Sequence, residues 1–471
     1  MRIVNVSRII GSLVTIVALS SDAVAQGRTS LLVRDDPRGE VLSLMFHLGG
    51  AGEYNGGVNK LYLHRLDSAF APFKDHPAIV EIRRLRKETG VGFEAVMSMA
   101  AHITDPITFG ERAPIDSPNS SLSGRWRGPN ARPLLALSGQ FSKEANVPAF
   151  LKLSQPLFDS ATVRMKRYVD QRAHFEWLSP YFTNVAGGSY FLSPVIGNSG
   201  GAYSTRFDNG NTHELHAYIG IGESDSLGFP VVSNDFLPTV IHEFVHSYVN
   251  NVVGARSADL RESGERVYKS AQSAMSANAY TSAGTMLNES IVRATVIRYL
   301  LAHDGVEAAA KETRQERGVG FIWMDELASM FATYEADRTQ YPTLASFMPR
   351  IIDYYNGLAP RIDSMTAEFN RHRPSITHAS VADSSVIDAG TTEITVQFSR
   401  PMSDGLPSMD LVGGTSFPGI VRYSFNVDKT AFTFKVKLEP NTSYGMRYTG
   451  AVFSSADGYP LNPFTIRFRT R

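Results

Sequence analysis

Apolar positions recur every three to four residues over long stretches up to about residue 372, and every second residue after it. The helical spacing predicts helices over 60–72, 77–88, 161–176, 236–252, 284–303, 321–333, 342–355 and 360–370. It is clearest in MLNESIVRATVIRYLLAHDG (286–305). There Met286, Ile291, Val292, Ala294, Val296, Ile297, Leu300 and Leu301 recur on one face and Gly305 marks the stop. After RHRPS (371–375) the period changes. EITVQF (393–398), VRYSFNV (421–427), AFTFKVKL (431–438), YGMRYTG (444–450) and FTIRFRT (464–470) alternate, with β-branched and aromatic residues between turn signals such as DAG and PNTSYG. These last 99 residues, 373–471, read as a small β-sandwich.

Two stretches follow neither rule. Residues 187–228 are rich in Gly, Ser, Asn and aromatics, with a strand expected at HELHAYIGI (213–221). Two strands around a loop, or a glycine-rich lid, both fit that composition. The first 25 residues carry Arg2 and Arg8, an apolar run over 9–19 and a small-x-small ending Ala23-Val24-Ala25, the pattern of a cleaved export signal. Their removal leaves 44 basic and 45 acidic side chains. The expected division is a signal over 1–25, a main domain over 26–372 and a sandwich over 373–471.

Composition then narrows the chemistry. A net charge near zero, with no basic stripe beyond short groups such as RRLRK (83–87), argues against nucleic acid as a partner. The run over 9–19 is too short to span, and no later segment reaches 18 uninterrupted apolar residues, so no spanning helix is expected after cleavage. With no cysteine, thiolates are excluded as ligands or nucleophiles, and any metal site must be built from His, Asp and Glu. An exported bacterial protein, periplasmic or extracellular, fits that usage.

The sharpest candidate lies in IHEFVHSYVN (241–250). Four residues of helix bring His242 and His246 to one face, so both imidazoles can meet one ion. Glu243 sits beside them, placed to reach a water rather than the metal. Asp235 is the expected cap of this helix, and Pro238 is tolerated in its first turn. A third ligand is offered by Glu289 in LNESIVRA (287–294), on an apolar helix where an unpaired carboxylate would be costly. Arg293, one turn on, is an alternative partner for Glu289 or Glu243, and Asn288 is a candidate to orient a histidine.

HEFVH followed by NESIVRA resembles the gluzincin metallopeptidases. That resemblance implies zinc held by His242, His246 and Glu289, Glu243 as general base and Asn288 as a supporting residue. Arg293 stands where the family places an acidic residue. The chain is also similar to a poorly characterised bacterial family of exported metalloproteins with FHLGGAGEYN-like openings (46–55), over about 45–372. PSITHASVADSSVIDAGTTEITVQFSRPMSDG (374–405) resembles bacterial Ig-like modules, which imply a contact with the envelope or another protein.

An oxyanion donor would be a neutral Tyr or a His, and the candidates are Tyr280, Tyr334, His213 and His216, the last two flanking a possible edge strand. GNSGG (197–201) lacks the G-x-S-x-G elbow, GGAG (49–52) lacks the lysine of a phosphate loop, and Glu223 with Asp225 is poorly arranged for a glycosidase. The expected fold is α+β, a mostly helical zincin-like catalytic domain with a small sheet followed by an Ig-like β-sandwich. The expected function is zinc-dependent hydrolysis of a peptide or protein substrate. The alternative is an exported binding or surface protein with a structural or degenerate metal site.

Overall fold

The computed structural model describes residues 31–471 apart from 56–58, 118–119, 127–130, 183–188, 233–235, 279, 404–408 and 451–452. The expected signal (1–25) and the cap Asp235 lie outside the described residues. After strand β1 (Leu31–Val33) come helices α1 (Pro37–Leu48), α2 (Lys60–Phe70), α3 (Pro77–Thr89), α4 (Glu94–His102), α5 (Ala131–Glu144), α6 (Val147–Arg172) and α7 (Leu178–Phe182). Strands β2 (Ser189–Val195), β3 (Ala202–Asp208) and β4 (His213–Gly220) follow, with a two-residue pairing of β5 (Glu223–Ser224) and β6 (Pro230–Val231). The second helical run is α8 (Phe236–Gly254), α9 (Ser257–Ala277), α10 (Ala283–His303), α11 (Gly305–Gly318), α12 (Met324–Ala336), α13 (Leu344–Leu358) and α14 (Ile362–Arg371).

The main sheet has the order β1-β2-β4-β3, with β3 antiparallel to β4 and the other pairings parallel. Alternation splits its side chains between two cores. Val195 and Tyr218 face the α1 side, while Tyr190, Leu192, Leu215, Ala217 and Ile219 join the core built by α8, α10, α12 and α13. The parallel strands are covered on both faces, as such strands need to be. β3 is one edge, and it lies against α4 and α8.

Of the two alternatives for residues 187–228, the strands are observed: residues 189–220 supply β2, β3 and β4 of the sheet. One expectation is corrected. The strand with His213 and His216 is β4, which is interior because β3 pairs along its whole length.

The C-terminal part is a β-sandwich. Its strands are β7 (Ile376–Ala379), β8 (Ser385–Ile387), β9 (Glu393–Phe398), β10 (Asp410–Leu411), β11 (Gly419–Phe425), β12 (Ala431–Lys437), β13 (Ser443–Tyr448) and β14 (Phe464–Thr470). Two sheets, β10-β13-β14-β8 and β11-β12-β9-β7, close on Ile394, Val396, Phe432, Phe434, Met446 and Ile466. No helix among the described residues is long and apolar enough to cross a membrane.

Candidate metal centre

Helix α8 is anchored by its apolar side. Leu237, Val240, Ile241, Phe244, Val245 and Val249 are buried, which fixes its rotation and turns His242 and His246 toward α10. On α10, apolar residues are buried on nearly every side, and Glu289 is buried among them at 8 % exposure.

The three side chains converge. His242 Nε2 and His246 Nε2 stand 3.1 Å apart. His242 Nε2 is 3.4 Å from Glu289 Oε2, and His246 Nε2 is 3.3 Å from Glu289 Oε1. Ligands at about 2.0–2.2 Å from a tetrahedral zinc ion lie about 3.3–3.6 Å from one another. The observed spacings are close to those edges. Two imidazole nitrogens facing each other at this distance need one proton or one cation between them.

A second observation points the same way. Glu289 Oε2 is buried and receives no hydrogen bond, although His242 Nε2 and Arg293 Nε (3.3 Å) are both near it. A buried carboxylate oxygen without a donor is costly, and a cation satisfies it. Among the described residues three such ligand groups come together here, and no fourth His, Cys, Asp or Glu joins them.

Charge in the metal-free site is set by the same contacts. Burial opposes a charge on His246, but the Glu289 carboxylate outweighs it and the imidazole is pushed up to about 9. Burial likewise opposes ionisation of Glu289, yet the two imidazoles hold its carboxyl well below the usual range. A donor set of two imidazoles and an ionised carboxylate suits zinc.

Arg293 stands behind Glu289. Its guanidinium pairs with Glu316 on α11, donates to the Tyr280 hydroxyl at 2.7 Å and lies over the Phe321 ring. Of the two partners expected for it, the structure gives it Glu289 and not Glu243. Glu243 is 8 % exposed and forms no hydrogen bond or ion pair with any described residue, which leaves its carboxylate free beside the histidines.

The remaining candidates separate clearly. Tyr280 reaches the cluster through its bond from Arg293, and burial pushes its phenol up to about 12. Tyr334 does not belong: it is fully buried and donates to the Tyr181 carbonyl at 2.6 Å. His213 is exposed and bonded to Asp208. His216 is buried, bonded to Glu214 at 2.8 Å and stacked on Phe191 on the α1 side of the sheet. Asn288 spends its amide nitrogen on the Gly284 carbonyl of its own helix, and its Oδ1 is buried without a partner. The residue that orients a histidine is Asn250, whose Oδ1 is 3.1 Å from His246 Nδ1. Sequence reasoning missed it, although its position one turn past His246 is the signal that finds it.

Comparison with known proteins adds little chemistry. A family profile described as a domain of unknown function (DUF4932) matches residues 134–354, slightly less than half of the chain and a span containing α8 and α10. No curated protein matches. Among solved structures, the chain is similar to the S-layer protein rSbsC(31-844) at 14% identity, over 48% of this chain and 32% of that one, with a TM-score of 0.17. Surface layer protein SbsC, domains 1-6, gives 10% identity over 49% and 33%, also at 0.17. The chain thus spans about a third of the length of these proteins, and at such TM-scores the likeness supports no argument.

Proposed function

We propose that the protein is a zinc-dependent hydrolase of peptide bonds that works outside the cytoplasm. The observation that carries this reading is the triangle of His242, His246 and Glu289, with its donorless buried oxygen, beside a free Glu243. Zinc bound there supplies a Lewis acid and an acidified water. His242, His246 and Glu289 would hold the ion, and Asn250 would fix the ring of His246. Glu243 accepts the proton of the attacking water at its carboxylate and returns it to the departing amine. Tyr280 accepts from Arg293 and keeps its own proton, so it remains a donor for a developing oxyanion. The leader-like pattern of residues 1–25 supports export. The C-terminal sandwich is read as an Ig-like module that contacts the envelope or another protein.

One contact favours a second reading, a degenerate site in an exported binding protein. Arg293 reaches Glu289 at 3.3 Å, so the carboxylate has a cationic neighbour even without metal. A peptide screen on zinc-loaded protein separates the two. The enzyme reading expects turnover that Glu243→Gln abolishes while zinc stays bound. No turnover in zinc-loaded wild type favours the binding protein.

A further inference from the structure

Arg293 lies on α10 one turn after Glu289, so the helix brings the two side chains to one face. Arg293 Nε and Glu289 Oε2 stand 3.3 Å apart, yet both atoms are buried without a hydrogen-bond partner. The distance permits a bond, so it is the direction of the Nε–H that withholds it. A guanidinium this close to a buried carboxylate would normally turn to meet it, because charge-assisted bonds are strong and unpaired buried charge is costly. Something holds the guanidinium back.

The restraint comes from α11 and its exit. Glu316, buried in the last turn of α11, accepts from Arg293 Nη1. The Tyr280 hydroxyl accepts from Nη2 at 2.7 Å. The guanidinium carbon lies over the Phe321 ring, 4.8 Å from its centroid. The Phe321 amide donates to the Glu316 carbonyl at 3.0 Å, so the carboxylate and the ring that clamp Arg293 belong to one hydrogen-bonded turn. The guanidinium is a planar fork of fixed geometry. Holding Nη1, Nη2 and the ring face therefore also sets where the Nε–H points.

We propose that Glu316 is a positioning residue of the metal centre: with Tyr280 it holds the Arg293 guanidinium off Glu289 and reserves the Oε2 atom for the ion. This rests on the reading of His242, His246 and Glu289 as zinc ligands. Arg293 is then a built-in competitor of the ion, kept in check by its other partners. Among the described residues Arg293 has ion-pair contacts with two carboxylates, Glu316 and Glu289. Glu312, one turn earlier on α11, feels the Arg293 charge but makes no ion pair with it. Without Glu316, the guanidinium turns to Glu289, and zinc has to displace it.

The test measures zinc affinity by chelator competition in the full chain, for wild type, Glu316→Gln, Arg293→Gln and the double variant. Glu316→Gln is expected to bind zinc about tenfold or more weakly, within the usual effect of losing an outer partner. Arg293→Gln breaks the same buried pair, yet is expected to bind zinc at least as tightly as wild type. The double variant is expected to recover the affinity lost in Glu316→Gln. Unchanged affinity in Glu316→Gln, equal losses in the two single variants, or a double variant as weak as Glu316→Gln overturns the proposal. If Glu316→Gln does not fold, Tyr280→Phe frees Nη2 instead and is expected to weaken zinc binding in the same direction. Should wild type take up no zinc, the zinc reading fails, and the metal-free crystal structure of Glu316→Gln decides this role separately. A guanidinium turned onto Glu289 Oε2 upholds the restraint by Glu316, and one left in place overturns it.

Discussion

Glu289 meets two imidazoles on one side and a guanidinium on the other, so its charge has cationic neighbours without an ion, yet its Oε2 still accepts no hydrogen bond. What differs between the two states is the proton on His246, which Glu289 retains in the metal-free protein and which an ion must displace. The ring has to be presented with its Nε2 inward, and Asn250 does this from one turn away. Asn250→Ala is therefore expected to weaken zinc affinity by about 10–100-fold, the usual effect of losing such a partner. Competition with a chelator of known affinity measures it, and an unchanged affinity would remove Asn250 from the site. The candidate ligands were legible because helical spacing ties His242 to His246 and burial makes Glu289 anomalous. Asn288 stands beside a candidate ligand in sequence, but its own amide bonds within the helix.

At the scale of elements, regular amphipathic helices were readable and others were not. Helices α8, α10, α12, α13 and α14 appear close to their expected places. Helices α1 and α4 were missed because they are buried on nearly all sides and show no polar stripe to set a period. Helix α9 was missed for the opposite reason. It buries little beyond Leu260, Ser263, Gly264, Val267 and Met275, too thin an apolar stripe to stand out. The edge position of β3 depends on strand order, which no local pattern encodes.

One contact ties several of these elements together. Glu40 of α1 accepts from the amides of Ile196 and Gly197 after β2, at 2.6 and 3.0 Å, and from the Tyr62 hydroxyl of α2 at 3.0 Å. Burial nevertheless raises its carboxyl to about 7. Below about pH 4.5 the group is neutral in both folded and unfolded chains, so its full contribution is present there. Between about 4.5 and 7 only the unfolded chain loses the proton, and stability falls as pH rises, by roughly 3 kcal/mol for a shift of this size. Denaturant titrations at pH 4.5 and 7.5 are expected to show a smaller fall for Glu40→Gln than for wild type. Parallel falls in the two proteins would contradict the assignment. Glu312, also raised to about 7, adds a slope of the same sign to both.

Among the described residues, the helical part and the sandwich meet at the Tyr459 loop of the latter and at Arg400, whose guanidinium donates to the His372 carbonyl. The Tyr459 ring packs on Phe369 and His372 and lies under Arg317, while Arg373, the first residue of the sandwich, donates to the carbonyls of Pro460 and Leu461 and ties the linker to the same loop. The change of period near residue 372 announced the sandwich, but not this docking, which joins residues far apart in sequence. Tyr459→Ala is expected to speed proteolysis near 371–375 and leave the zinc content unchanged, since the interface is built by other helices than α8 and α10. Unaltered cleavage would show that the remaining contacts suffice.

The account depends on one claim, that α8 and α10 together hold an ion. Zinc per chain, measured in metal-stripped and reloaded protein for wild type and Glu289→Ala, tests it most directly. The geometry predicts close to one zinc in wild type and much weaker retention in the variant. Folded wild type that takes up no zinc, or a variant that retains it equally well, would contradict the site and the function built on it.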